Sequence, residues 1–286
     1  RAFAIGVSLN VGFASAEAIY GYLAGSLALI ADSGHNFSDV LGLLLAWGAS
    51  HLSQHPPSER RTYGLRSSSI LAALFNAVIL LVAVGAIAWE AIRRFSAPAE
   101  VTGTTIIWVA LVGIVINTAT ALLFMSGRKN DLNIRGAFLH MAADAAVSAG
   151  VVIAGILIMY TGRLWIDPVV SLVIAAVILF GTWSLLRESV NLALHAVPEG
   201  IDPQKISAYL KSLPGVIAVH DLHIWGMSTT ETALTAHLVK PDHQNDDEVI
   251  AGACQELQQH YGIAHVTLQY ERNHGSCPSG TPCQNI

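Results

Sequence analysis

Residues 26–50 read SLALIADSGHNFSDVLGLLLAWGAS. The stretch is apolar over the length of a membrane-spanning helix, about 20 residues, yet it contains His35 and Asp39. On an α-helix, positions i and i+4 lie nearly above one another. The two side chains therefore share a face. An ionisable group at bilayer depth costs at least about 2.5 kcal/mol and marks function by default. The alternative is structural, with each group bonding a neighbouring backbone or capping a kink.

Five further apolar segments accompany this one, which spans about 26–53. They lie at about 2–23, 67–92, 103–126, 133–160 and 168–190. Gly, Ala and Ser are frequent in them, as expected where membrane helices pack closely. Hydrophobic residues make up 53% of the 286-residue chain and charged residues only 12%. A soluble domain carries roughly 25% charged residues, so composition alone indicates a membrane protein. The net charge of -5 argues against nucleic-acid binding. Three cysteines are too few for a disulfide framework.

Basic loops favour the cytoplasm. Arg60, Arg61 and Arg66 follow the second segment, and Arg128, Lys129 and Arg135 follow the fourth. Arg93 and Arg94 at the end of the third count against them but are fewer. With six spans, both termini are then cytoplasmic, in the plasma or inner membrane.

After His195 the charges change to four basic and ten acidic residues. DPQKISAYLKSL reads as an amphipathic helix with Pro203 near its start. VIAVHDLHIWGM and TALTAHLVK read as strands. DDEVIAGACQELQQHY reads as a helix with acids where its dipole favours them, and HVTLQYE as a third strand. This order, α-β-β-α-β, predicts a small two-layer α+β domain. The expected organisation is a six-helix membrane domain over 1–195, an α+β domain over 196–273 and a mobile Cys-containing tail over 274–286.

A second pair matches the first: HMAAD supplies His140 and Asp144 on the fifth segment. If the second and fifth helices are antiparallel neighbours, two imidazoles and two carboxylates meet near mid-membrane. That set suits tetrahedral Zn²⁺. Neutral imidazole binds metal, and histidine titrates near neutral pH. Metal and protons then compete for the same atoms. No HExxH occurs, and four protein ligands leave no open position for hydrolysis, so an enzyme is not expected. Glu17, Asp32 and Asp167 are weaker candidates. Asp32 is read as lining an approach path, Asp167 as a cap on the sixth helix, and Asn76 and Asn117 as helix–helix hydrogen-bonders.

Six membrane helices, paired HxxxD motifs and a C-terminal α+β domain resemble the cation diffusion facilitator family. SLALIADSGHNFSD is especially similar to its second-helix signature. The resemblance covers nearly the whole chain, and the two-His, two-Asp form is similar to the zinc-preferring subgroup. It implies that His35, Asp39, His140 and Asp144 bind the transported ion. It further implies Zn²⁺ efflux in exchange for protons, a homodimer, and a cytoplasmic ferredoxin-like, metallochaperone-like domain. Cd²⁺ or Co²⁺ is the alternative cargo. Zn²⁺ is then cargo and a regulatory ion rather than a cofactor.

The resemblance also singles out His220, His237 and Glu271 as a cytoplasmic metal site. Alternation places His237 with Thr235 and Val239, and Glu271 with Thr267 and Gln269. It places His220 with Leu222 and Ile224, the face expected of a core strand, where a bonded core histidine is the competing expectation. His274, Cys277 and Cys283 form a soft-ligand candidate in the tail. His51 and His55, in the loop after the second helix, read as solvated. Where the family carries an acidic residue near the start of the third helix, this chain has Ser69 in YGLRSSSI.

Overall fold

The structure, a computed structural model, describes residues 2–53, 55–124, 132–242 and 245–272. Within these, the side chains at 2–7, 9, 43, 46–47, 49–50, 53, 123–124 and 132–140 are not described. Six long helices come first: α1 Ala2–Leu23, α2 Leu27–Ser53, α3 Ser68–Ser96, α4 Gly103–Phe124, α5 Leu132–Thr161 and α6 Ile166–Ala193. Their bounds follow the six apolar segments to within a few residues. Among the described residues, spans in α3, α4, α5 and α6 are long and apolar enough to cross a membrane. Val82, Trp108, Val115, Val177 and Phe180 project outward from these helices. Such faces need a lipid solvent rather than water. The chain is an α-helical membrane protein.

The chain forms two compact units, Arg1–Leu45 with Phe75–Ser184, and Ala46–Leu74 with Leu185–Ile286. In the first, Leu29, Ile106, Val151, Ile158 and Ile174 build the core. α4 and α5 pack closely through glycine. A Cβ on Gly103 would meet the Gly155 carbonyl at 2.9 Å, and one on Gly155 would meet Ile107 at 2.9 Å. This is the small-residue packing expected between membrane helices.

The turn from α1 into α2 explains two charged residues. Gly25 sits at φ 69°, and a Cβ there would meet the Glu100 carbonyl at 2.5 Å, so only glycine fits. Asp167 accepts from Ser26 Oγ at 2.6 Å, from Leu27 N at 2.9 Å and from Ala28 N at 3.3 Å. It caps α2, which corrects the expectation that it caps its own helix, α6. A carboxylate stabilises a helix N-terminus through the free N–H groups and the dipole. Arg94 adds a contact to Asp167 at 3.5 Å and donates to the Gly25 carbonyl. Arg94 is thus held at the turn from α1 into α2.

The second unit contains α7 Pro203–Lys211, β1 Ala218–Gly226, β2 Thr232–Val239, α8 Asp246–His260 and β3 Ile263–Glu271. The order is the one read from the sequence. Asp202 caps α7 by accepting from Gln204 N and Lys205 N, with Pro203 at the first turn. The sheet order is β1-β2-β3, with β1/β2 antiparallel and β2/β3 parallel. Ile206, Leu210 and Leu257 of the helices pack on Leu222, Ile224, Leu234 and Leu238 of the sheet. Beyond the far end of β2, Asp246 receives Lys240 at 2.8 Å and Arg272 at 2.5 Å.

Strand β1 is not regular. Asp221 adopts φ 53°, and the register slips by one residue between His220 and His223. His220 pairs with His237 before the slip, and His223 with Thr235 after it. A bulge of this kind exchanges the faces of a strand. Val219, Leu222 and Ile224 therefore reach the core, while His220 and His223 lie with His237 on the opposite face. This corrects the alternation reading, which put His220 on the core face.

Within the same unit, residues 63–69 dock on the C-terminal domain. Arg66 Nη1 lies 2.8 Å from Glu231, Ser67 Oγ donates to the Met227 carbonyl, and the Thr229 N–H donates to Ser69 Oγ. Tyr63 meets His265 edge to face. Ser69, the departure from the family pattern, is thus a hydrogen-bonding residue for the β1–β2 turn.

Candidate metal centres

Two groups of histidines and carboxylates stand apart from ordinary ion pairs. The first lies where α2 meets α5. His35 Nε2 is 3.8 Å from Asp39 Oδ2, one turn along its own helix, and 3.5 Å from Asp144 Oδ1 on α5. Asp144 is 2% exposed, whereas His35 and Asp39 are about a quarter exposed. The structure thus brings together three of the four expected ligands. Position 140 precedes Asp144 by one turn of α5, and its side chain lies outside the described residues.

Two ligand atoms at about 2.1 Å from a tetrahedral ion stand about 3.4 Å apart. The 3.5 and 3.8 Å separations are close to that figure and too long for hydrogen bonds. Borderline donors of this kind, imidazole and carboxylate, suit Zn²⁺, Co²⁺ and Cd²⁺ better than Mg²⁺ or Ca²⁺.

Behind these residues is a buried polar layer. Asn36 donates to Glu17 Oε2 at 3.2 Å, and Ser148 donates to Asp32 Oδ2 at 3.2 Å. Glu17 lies against Asp32, and both are at most 1% exposed. Asp32 is therefore a buried, bonded residue, not the lining of an open approach path. Asn36 adjoins His35 in sequence, and Ser148 is one turn from Asp144. Glu17 was legible as an intramembrane carboxylate, but nothing in its spacing linked it to HNFSD. Asn76 and Asn117 are buried, and a Cβ on Gly42 would meet the Asn76 amide at 3.2 Å, but Asn76 Oδ1 and Asn117 Nδ2 have no hydrogen-bond partner among the described residues, which does not bear out the expected helix–helix hydrogen bonds.

The second group is on the open face of the C-terminal sheet. His220 Nε2 lies 2.9 Å from Glu271 Oε2, and His237 Nδ1 lies 2.8 Å from Glu271 Oε1. The rings of His220 and His237 meet edge to face at 5.3 Å. One ligand atom from each of the three residues falls within 4.8 Å of the other two, the one such cluster among the described residues. His220 and Glu271 are nearly inaccessible, at 4% and 5% exposure. His237 Nδ1 and Glu271 Oε1 approach closely, yet neither has a hydrogen-bond partner of good geometry. Buried polar atoms left so are costly, and a cation between them removes the cost. The set has the donors of a zinc site, and the contacts open by about 0.5 Å to reach the tetrahedral 3.4 Å.

His274, Cys277 and Cys283 lie outside the described residues. Cys254 is a free thiol on α8, and burial pushes it up from its ordinary value, which disfavours the thiolate that binds metal. His51 and His55 are exposed and stack edge to face at 5.9 Å.

Comparison with known proteins places this geometry in context. A family profile described as the cation efflux transmembrane domain matches residues 3–192. A second, described as the cytoplasmic domain of cation efflux proteins, matches residues 198–273. The chain is 35% identical over 277 residues to the cadmium, cobalt and zinc/H(+)-K(+) antiporter of Bacillus subtilis strain 168, covering 96% of this chain and 89% of that protein. It is 35% identical to the metal cation efflux system protein CzcD of Cupriavidus metallidurans, covering 95% of this chain and 86% of that one. It is 36% identical to the zinc transporter ZitB of Escherichia coli K12, covering 94% and 86%. Among solved structures, the metal-bound C-terminal domain of the CzcD transporter from Cupriavidus metallidurans is 32% identical, with a TM-score of 0.23. That match covers 25% of this chain and 99% of that one.

Proposed function

The chain belongs to the cation efflux family of metal transporters, and from that premise we propose that it exports Zn²⁺ from the cytoplasm in exchange for protons. The observation that carries this reading is His35 Nε2 held between Asp39 and Asp144 at tetrahedral ligand spacing. His140, one turn from Asp144, completes the set. The ion binds neutral imidazole and ionised carboxylate. Protons arriving from the other side compete for the same lone pairs and promote release. A site that faces each side in turn then couples outward metal to inward protons. His35 and Asp39 are partly accessible and Asp144 is buried, so the ion meets α2 first and is then secured by α5.

In this reading the protein crosses the bacterial inner membrane or plasma membrane six times with both termini cytoplasmic, and it works as a homodimer through the C-terminal domain. His220, His237 and Glu271 hold a regulatory ion there. The name of the Bacillus subtilis relative includes cadmium and cobalt, and the donor set accepts both. They are therefore the second candidate cargoes. The test is metal uptake into proteoliposomes under a pH gradient. Zn²⁺ flux that requires the gradient and is lost in Asp39→Ala supports the reading. Flux unchanged by that substitution refutes the four-ligand site, and equal transport of Zn²⁺, Cd²⁺ and Co²⁺ refutes the preference for zinc.

A further inference from the structure

Glu17 on α1 and Asp32 on α2 have their carboxyl groups in contact, at 0% and 1% exposure. Asn36 donates to Glu17 Oε2, and Ser148 donates to Asp32 Oδ2. The remaining oxygens, Glu17 Oε1 and Asp32 Oδ1, are buried and have no donor among the described residues. Two carboxylates in contact and out of water cannot both be ionised, because neither charge is screened from the other. A fully ionised pair also leaves buried lone pairs without a donor. One proton removes both costs. It supplies the missing O–H and leaves a single negative charge.

We propose that Glu17 and Asp32 share one proton and are a proton-binding site of the exchange, separate from the atoms that bind the metal. This rests on the reading of the protein as a metal/proton antiporter. The placement lets metal and proton exclude each other without sharing a lone pair. Asp32 is about one turn of α2 from His35, and Asn36, the donor to Glu17, adjoins His35. Ser148, the donor to Asp32, is one turn from Asp144 on α5. The titratable groups facing the pair are His35 and Asp144. Helix α4, which packs against α1 and α5, carries none. A divalent ion held by His35, Asp39 and Asp144 therefore brings its charge close to the pair. That charge favours the doubly ionised form, and the shared proton leaves to the cytoplasm. When the ion departs outward, the repulsion returns and the pair takes a proton from the outer side. One proton thus moves inward for each ion moved outward, in addition to those the imidazoles exchange.

The test counts protons released per zinc bound, on the full chain in detergent at about pH 7, by calorimetry in buffers of different ionisation enthalpy. The background carries His220→Gln, Glu271→Gln, Cys277→Ser and Cys283→Ser, so the counted ion is the one in the membrane domain. Glu17→Gln keeps the shape of the pair, and its amide supplies the missing donor permanently. Asp32→Asn does the same from the other side. Each variant is expected to bind one zinc and to release about one proton fewer per ion than its parent. Ser148→Ala, which loosens the same layer but keeps both carboxyl groups, is expected to release the parent number. An unchanged count in Glu17→Gln and Asp32→Asn overturns the proposal, and so does an equal fall in Ser148→Ala. Loss of zinc binding in both carboxyl variants also overturns it, because the pair then belongs to the metal site. A parent that releases no proton instead refutes the antiport reading beneath it, so the two failures are distinct.

Discussion

The membrane cluster and the C-terminal cluster use the same donors, histidine and carboxylate, on opposite kinds of backbone. In α2 the helix is regular, so the four-residue spacing of His35 and Asp39 places both on one face. In β1 the strand is irregular, and one residue in the left-handed region exchanges the faces. Spacing in sequence is thus a reliable guide to a site where the backbone repeats, and a misleading one where the site is made by breaking the repeat.

The largest effect that would break this comparison is on transport. Asp144→Ala removes the buried carboxylate facing His35, and we expect proteoliposome Zn²⁺ flux to fall at least about 100-fold, beyond the range seen for residues that only support a ligand. Glu271→Ala is expected to leave metal-saturated flux within about tenfold, on the proposal that its site is regulatory. If Glu271→Ala abolishes flux as fully as Asp144→Ala does, the division between transport and regulatory sites is wrong.

Next in size is stabilisation of the C-terminal domain by metal. A ligand present at 100 times its Kd adds about 2.7 kcal/mol to the folded state. Thermal unfolding with and without Zn²⁺, in an Asp39→Ala, Asp144→Ala background, measures it. His220→Gln with Glu271→Gln removes most of the gain. An unchanged zinc-induced shift in Tm counts against this cluster as a metal site.

Much of the fold was legible because it follows from solvent preference. Six apolar segments announced six helices, and alternation with end-capping residues announced α-β-β-α-β. The residues proposed as membrane ligands stand in an HxxxD repeat that is visible in the sequence. The remainder depended on contacts between distant segments. Asp167 beside Pro168 looks like a local cap, but its partners are Ser26, Leu27 and Ala28. Glu17 reaches Asn36 across helices, with no motif joining them. Asp221 in VHDLH reads as an ordinary polar strand residue, and only its backbone conformation shows that it redirects two histidines.

A sharper test of the bulge varies the backbone and the carboxylate separately. Asp221→Val forces a β-branched residue into the left-handed region, at a cost of about 1–2 kcal/mol in unfolding free energy. It also lowers zinc affinity at His220, whose direction depends on the bulge. Asp221→Gly accepts φ 53° readily and loses only the carboxylate. We expect it to unfold near the wild-type Tm and to keep the His220–His237–Glu271 ion. Equal zinc affinity in the Val and Gly variants means that the bulge does not aim His220.

The smallest effect separates metal chemistry from ordinary ion pairing in the same domain. The Arg272 and Lys240 partners of Asp246 lower its carboxyl from 3.8 to about 2. A depressed acid stabilises the fold fully above its unfolded value and loses that contribution as pH falls through the folded one. The Asp246 contribution is therefore complete above about pH 4 and fades toward pH 2. The metal contribution is lost at higher pH than this, where protons displace the ion from its ligands. Unfolding curves with a chelator present should flatten the upper step and leave the lower one. Asp246→Asn should reduce the lower step and leave the zinc-dependent one intact. A zinc-dependent step that moved with Asp246→Asn would mean that the ion-pair cluster at the end of β2 and the histidines of the sheet titrate as one system.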